Sequence, residues 1–430
     1  MAESTQIKAV SKTTQAKFIT VDTLEYMVSL IVGGAFLAHL TKSIGISDSL
    51  SGIISSFVSL AGISQLLSMM IVRPGMKMKG FTTSLVIINQ LLWAVLYLIP
   101  LTSALSAQAR ILLFVILKLV ANLLLKMCYP TKFVWQTYYV EEHKISIYNA
   151  TKEMVSLICG MLFSLGIGML SDKLEAAGRM DDSFIICALF ITAISIAEGV
   201  LLISTKEPGG DGATKEHHKI SEPFKATFGD KKFRKIIYIV ALYSFFIYVS
   251  LSFYGVYQKG ELGFSLTYSN VITTVGMTVW ALLARSAGKL AQRISWTRVV
   301  LIFMSIYALA FFVNIFTVPE NGKVMFMIYS LLHYVAMAGI KLPLLAFEYV
   351  NPDNRTGAVA ITQAVGGICG FIGTLIGGSL LDHIQGSGNH IFGMNVYAQQ
   401  VLSAISFLGL ALTITLLYFI TRSLKKSSKK

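Results

Sequence analysis

Three groups of polar residues are embedded in apolar sequence, and each falls on one helical face. Asp22, Glu25 and Ser29 are spaced i, i+3, i+7, Lys118, Asn122 and Lys126 are spaced i, i+4, i+8, and His333, Lys341 and Glu348 lie close to one face. An ionisable group inside an apolar span is costly, so it usually faces a cavity or pairs with another such group. Carboxylates and amines so placed can bind a charged solute, carry a proton or form a gate. At 1.5 Å per residue, Glu25 lies about 10 Å from Phe18 and Lys126 about 9 Å from Lys132. The two are close enough in depth to pair, or each can extend to nearby headgroups. Lys118 lies roughly 20 Å in, near the midplane, where it needs an anionic partner, a deprotonated state or an anionic group on a solute. His333 can titrate at physiological pH and couple protons, or serve as a hydrogen-bonded structural histidine. Lys341 and Glu348 are seven residues apart, too far for the pairing favoured at four.

Aromatic residues offer a second chemistry. Tyr243, Phe246, Tyr248, Phe253 and Tyr254 cluster in one apolar segment, and Trp280 stands in the next. Such rings can stack on a sugar or a nucleobase, although interfacial belts and packing explain most of them in membranes. There is no phosphate-binding Gly-rich loop with lysine, no Cys/His metal cluster and no nucleophile motif. Catalysis, a cofactor and a bound metal are therefore not expected, and any work on a solute must come from an ion or substrate gradient. The candidate substrate and ion site consists of Glu25, Lys118, Asn122, Lys126, Tyr243, Trp280, His333 and Lys341.

The elements that must hold these residues are long and apolar. Hydrophobic residues make up 54% of the 430 residues and charged ones only 13%, about half the charge of a soluble domain. A hydrocarbon core of about 30 Å needs runs of roughly 20 apolar residues. Twelve such runs are predicted, at 20–41, 50–72, 81–100, 108–131, 151–171, 183–204, 235–257, 267–286, 298–317, 324–347, 357–381 and 396–421. The composition excludes a soluble protein. The net charge of +14 would suit nucleic acid, but its placement does not. With the N-terminus cytoplasmic, 27 of the 36 Lys and Arg fall on inner loops and tails and six outside. This bias predicts a multi-pass cell-membrane protein with both termini in the cytoplasm. The tail residues Arg422, Lys425, Lys426, Lys429 and Lys430 then sit against anionic inner-leaflet lipid or simply set topology. Residues 1–18 are polar, and no cleavable leader is expected. Cys128, Cys159, Cys187 and Cys369 lie inside predicted spans and read as free thiols.

The chain repeats itself at an offset of 210 residues. SLICGMLFSLGIGMLSDKL (156–174) aligns without gaps to GGICGFIGTLIGGSLLDHI (366–384), with the pairs Cys159/Cys369, Gly160/Gly370, Gly168/Gly378 and Asp172/Asp382 among the identities. Upstream, Met127/Met337, Tyr139/Tyr349 and Val140/Val350 hold the same register. The expectation is an all-α protein of two parallel six-helix bundles related by a pseudo-twofold along the membrane normal. The N-terminal bundle spans 1–204, a cytoplasmic linker 205–233 and the C-terminal bundle 234–430. His217 and His218 belong to that solvated linker. Gly366, Gly370, Gly373 and Gly377 share one face, as do Gly160, Ser164 and Gly168. This spacing lets backbones approach, either as static packing or as a sliding surface between halves.

On these features the chain resembles the major facilitator superfamily along its full length. The stretch RSAGKLAQRISWTR (285–298) is similar to the family's loop signature through Gly288, Lys289, Arg293 and Arg298, with Gln292 where the family has Asp. The earlier copy, IVRPGMKMKG (71–80), keeps Arg73, Lys77 and Lys79 and lacks the Asp. The fifth span contains no proline and the sixth ends STKEP, so neither the proton-coupled drug-exporter pattern nor the sugar-porter pattern is present. The resemblance implies that the first, fourth, seventh and tenth spans line a central cavity, and three of these carry the ionisable groups above. It implies a monomeric secondary transporter of a small polar organic solute, with a proton or cation as co-substrate and lipid as its surroundings. A lipid or hydrophobic-drug exporter and a transport-dead sensor are the alternatives.

Overall fold

The computed structural model describes residues 2–65, 78–141, 144–207, 229, 231–350, 355–391 and 394–427. His217, His218 and most of the linker lie outside these residues, as does most of the first copy of the loop signature at 71–77. Helices dominate. They are α1 (Ala2–Ile31), α2 (Gly34–Ile44), α3 (Asp48–Leu60), α4 (Met78–Leu98), α5 (Ala107–Tyr138), α6 (Ile145–Ala176) and α7 (Met180–Ile203). Then come α8 (Lys231–Leu251), α9 (Tyr254–Lys259), α10 (Leu266–Ile294), α11 (Trp296–Ile315), α12 (Gly322–Gly339), α13 (Leu342–Phe347), α14 (Arg355–Gly386) and α15 (Ala398–Ser427). A two-residue pairing of His390–Ile391 with Met394–Asn395 is the sole β feature among the described residues.

Ten stretches are long and apolar enough to cross a membrane, and the bent pair α1–α2 makes eleven among the described residues. The predicted second span begins as the shorter apolar helix Asp48–Ile63 and continues into residues outside the described set. The chain is a multi-pass membrane protein. Burial is inverted in the manner a bilayer requires. Leu162, Leu189 and Leu282 are 68%, 63% and 72% exposed, while Gln90, Glu198 and Asn314 are at most 1% exposed. Polar groups turn inward because lipid offers them no hydrogen bonds.

Two departures from the predicted spans shape the first unit. The first span is interrupted, its halves meeting at 48° across Val32 and Gly33, with Gly34 at a positive φ of 52°. Apolar composition runs through this break without interruption, so the hydropathy pattern conceals it. The fourth span continues to Tyr138 rather than ending at 131, which carries Lys132 and Gln136 into the helix.

The chain forms two compact units, the first of Met1–Ile46, Ala61–His217 and Ser265–Asn270 and the second of Ser47–Leu60, His218–Phe264 and Val271–Lys430. In the first, Phe18, Val21, Val86, Cys128, Trp135 and Leu202 form a core that joins α1, α4, α5 and α7. In the second, Val249, Phe253, Leu381, Ile384 and Leu402 join α8, α14 and α15. The 210-residue offset recurs in the elements themselves, since α6 ends at Ala176 and α14 at Gly386.

The glycine faces work inside units. A Cβ at Gly373 would lie 2.2 Å from the Phe245 carbonyl oxygen and one at Gly377 2.3 Å from that of Val249. The α14 stripe is thus the close contact with α8 within the second unit, which corrects its reading as a sliding surface between halves. Backbones this near leave no room for a methyl group, so glycine is required sterically. On α6, Gly160 faces the Tyr26 ring of α1 and Gly168 faces the Asn270 amide, both inside the first unit. Asp172, one of the repeated acids, accepts from the backbone N–H groups of Leu266 and Thr267 at 2.9 and 2.8 Å. It thereby satisfies orphan donors at the start of α10.

Candidate functional site

In the first unit the charged side chains of α1, α5 and α6 converge. Lys132 of α5 bridges the two α1 acids, 2.6 Å from Asp22 Oδ1 and in direct contact with the Glu25 carboxylate. Lys152 of α6 meets Asp22 Oδ2 at 2.7 Å and donates to Gln136 Oε1 at 3.1 Å. Gln136 Nε2 donates to both Asp22 oxygens at 2.9 Å. Asp22 therefore has two cations and an amide around one carboxylate. Thr23 and Ser156, 3.2 Å apart, extend the seam between α1 and α6. Two acids balanced by two lysines, with amide donors filling the remaining positions, is how charge survives inside a span.

The structure pairs Glu25 with Lys132, not with Lys126, which corrects the pairing weighed from depth alone. The cause is the length of α5, which places Lys132 inside the span instead of at its end. The Lys126 amine stands 5.8 Å from the centre of the Tyr129 ring. Ser29 is exposed and bonds back to the Tyr26 carbonyl of its own helix at 2.6 Å.

Lys118 is buried, at 5% exposure. Its amine donates to the carbonyl oxygen of Val32 at 2.5 Å and lies 4.2 Å from the centre of the Trp93 ring. Asn122, 3% exposed, donates to the Lys118 carbonyl one turn back at 2.8 Å. Glu198 is wholly buried, and Gln90 Nε2 donates to its Oε2 at 3.0 Å.

The second unit holds the remaining candidates in different surroundings. His333 is ringed by Tyr307, Tyr334 and Tyr329, with centroids 5.0, 5.1 and 6.0 Å away. Tyr243 is buried on α8. Lys341, in the break between α12 and α13, stands 5.4 Å from the centre of the Trp280 ring. Glu348 lies beyond α13 and takes no part in this group. It accepts from the N–H groups of Trp296 and Thr297 at 2.5 and 3.2 Å and from the Thr297 hydroxyl at 2.6 Å, capping α11. Next to the aromatic group, spans seven, nine and twelve share a neutral network. Gln399 donates to Ser250 Oγ at 2.7 Å, Asn314 donates to Ser403 Oγ at 2.8 Å, and the two serine hydroxyls are 3.3 Å apart. A groove of about 400 Å³ between α11 and α15, lined by Leu301, Ser305, Thr415 and Tyr418, contains none of these residues.

The model of the Major Facilitator Superfamily matches residues 22–374. The chain belongs to that superfamily. It is a membrane transporter and not an enzyme. No curated protein matches the sequence. Among solved structures, the fold is similar to that of the nucleoside transporter NupG, at a TM-score of 0.69, 12% identity and coverage of 96% of this chain and 99% of that one. It is also similar to a D-xylose–proton symporter, at a TM-score of 0.68, 12% identity and coverage of 93% and 96%. An E. coli fucose:proton symporter gives a TM-score of 0.59, 13% identity and coverage of 96% and 99%. Identities this low carry the fold alone.

Within this superfamily member, the second copy of the loop signature falls at the junction of α10 and α11, where Arg285, Lys289, Gln292, Arg293 and Arg298 are exposed. Lys132 and Gln136 lie beyond the apolar run 108–131 and Lys152 at the very start of 151–171, so hydropathy marks none of them as a site residue. The i, i+4 spacing of Lys132 and Gln136 was the available signal. Trp93 reads as one more apolar residue, and the Gly33–Gly34 pair inside an apolar run is the local mark of the break.

Proposed function

We propose that this protein is a gradient-driven secondary transporter that moves a small polar organic solute by alternating access, with proton coupling through the acids of α1. The observation that carries the coupling is the cluster in which Asp22 and Glu25 share the buried Lys132. Protonating either acid would leave Lys132 with one anion instead of two, so proton binding changes how firmly α1 is held to α5 and α6. The rings around His333 and the Lys341–Trp280 pair supply faces and donors suited to a ring-bearing polar solute. The structural neighbours include a nucleoside transporter, a D-xylose–proton symporter and a fucose:proton symporter. On this reading the protein is a monomer in the cell membrane with both termini cytoplasmic, and its basic tail meets anionic lipid.

A thermal-shift screen against nucleosides, sugars, amino acids and organic acids identifies the solute, since binding raises apparent stability by mass action. Proteoliposomes then separate exchange from uphill uptake. Asp22→Asn is expected to keep solute counterflow and lose accumulation driven by a pH gradient. Equal accumulation by Asp22→Asn, Glu25→Gln and wild type would remove the α1 acids from coupling.

A further inference from the structure

We propose that the break in the first span is a monovalent-cation site whose resident cation is the tethered ammonium of Lys118. The helical ladder stops where Val32 N–H bonds the Val28 carbonyl at 3.1 Å, and it resumes with Leu37 N–H on Gly33, also at 3.1 Å. The carbonyls of Ile31 and Val32 are turned to side chains instead. Tyr97 donates its hydroxyl to Ile31, and Lys118 donates its amine to Val32. Irregular backbone at membrane depth persists only where such groups are satisfied internally. These two carbonyls are also the negative end of the α1 dipole, which favours a positive charge. Carbonyl ends of interrupted helices are where many transport proteins coordinate Na⁺ or a proton.

The third wall is a π face. Trp93 presents its ring 4.2 Å from the amine, a geometry that attracts cations once water is excluded. The ring itself is fixed, because its indole N–H donates to Asn89 Oδ1 at 3.0 Å and Asn89 donates to the Ala121 carbonyl at 2.6 Å. A lysine that needed only neutralising would sit as Lys132 does, between carboxylates. Lys118 meets a carbonyl dipole and an aromatic face, the ligand types that hold a small cation or an alkylammonium. With the charge built into the chain, the break needs no soluble ion, and wild-type stability is expected to be indifferent to Na⁺.

The test gives the site a soluble occupant. Purified Lys118→Ala is melted in choline chloride, in NaCl and in methylammonium or propylammonium chloride at equal ionic strength. In choline it should melt below wild type. Na⁺ or an alkylammonium should then raise its midpoint saturably by about 2 °C or more, while wild type and Lys118→Arg stay unmoved. Adding Trp93→Leu to Lys118→Ala should reduce that rise. A Lys118→Ala protein that responds to these cations no more than wild type overturns the proposal. If Lys118→Ala does not accumulate, Lys118→Arg and Lys118→Met decide. A cation site places Arg above Met in stability, whereas a packing role places Met level with Arg or above it and also overturns the proposal.

Discussion

The two units bury polarity in opposite ways. In the first, α1, α5 and α6 enclose formal charge, with Asp22, Glu25, Lys132 and Lys152 joined by direct ion pairs. In the second, α8, α11 and α15 enclose hydroxyls and amides, with Ser250, Ser403, Asn314 and Gln399 bonded in sequence. Both arrangements satisfy the rule that lipid-embedded polar groups must find partners inside the protein, but they differ in what happens when one partner is lost. A neutral group stranded in the interior costs about 1–3 kcal/mol, whereas a stranded charge costs more. The two units share what packs, such as the glycines of α6 and α14, and differ in what they bury.

The largest expected effect breaks the charged arrangement directly. Lys132→Met leaves two carboxylates facing one remaining lysine, and removing one partner of a buried ion pair costs about 3–5 kcal/mol. The protein should accumulate poorly, and its melting midpoint, read by tryptophan fluorescence in detergent, should fall far below wild type. Combining it with Glu25→Gln should recover much of that loss, because Asp22 keeps Lys152 and Gln136 and no unpaired anion remains. Additive losses in the double variant would mean that Glu25 and Lys132 do not act as a pair.

The same contrast explains which parts were legible in the sequence. Spans announce themselves by composition, so their order and approximate positions could be read, and the 210-residue register recurs in the ends of α6 and α14, at Ala176 and Gly386. The Asp22–Lys132 bond could not be read, because its partners are 110 positions apart and Lys132 lay just beyond the boundary drawn after an apolar run. A lysine counts as a boundary in hydropathy, but α5 continues through it because α1 supplies the neutralising acids. The break at Val32 is hidden for the converse reason. It carries no polar residue of its own, and its polar partners, Tyr97 and Lys118, come from α4 and α5. Glu348 had the right type for a site, yet it caps α11, a role that depends on a loop whose geometry no periodicity encodes.

A middle-sized effect sharpens the comparison from the neutral side. Asn314→Leu removes an amide whose Nδ2 donates to Ser403 while its Oδ1 has no hydrogen-bond partner. The substitution takes away one unsatisfied acceptor along with one bond, and Ser403 keeps Ser250 as a neighbour. Replacing such a group by an apolar one of similar size should change stability by no more than about 1 kcal/mol in either direction. A loss as large as that of Lys132→Met would show that the second unit depends on its polar network as heavily as the first depends on its ions.

The smallest effect concerns an acid of the second unit that sits just outside a span beside another acid. Glu261 follows the span Lys231–Lys259. Gln385 Nε2 donates to Asp48 Oδ2 at 3.0 Å and reaches Glu261 Oε1 at 3.4 Å, so one amide serves two carboxyls. Burial raises the Glu261 pKa, the Gln385 hydrogen bond opposes the rise, and the nearby Asp48 charge adds to it. A carboxyl whose folded pKa lies above its unfolded one binds protons more tightly in the native state, so native stability falls as pH rises between the two values. The stabilising contribution is present below the unfolded pKa and is lost as pH rises through the folded one. Glu261→Gln removes the titration. Its melting midpoint should therefore match wild type in mild acid and rise above it towards neutral pH, since the substituted amide cannot ionise beside Asp48. The measurement is a pair of melting curves across that window. A variant that loses stability at neutral pH instead would mean that the ionised Glu261 is held by a cation, and that this corner of the second unit follows the ion-paired logic of the first.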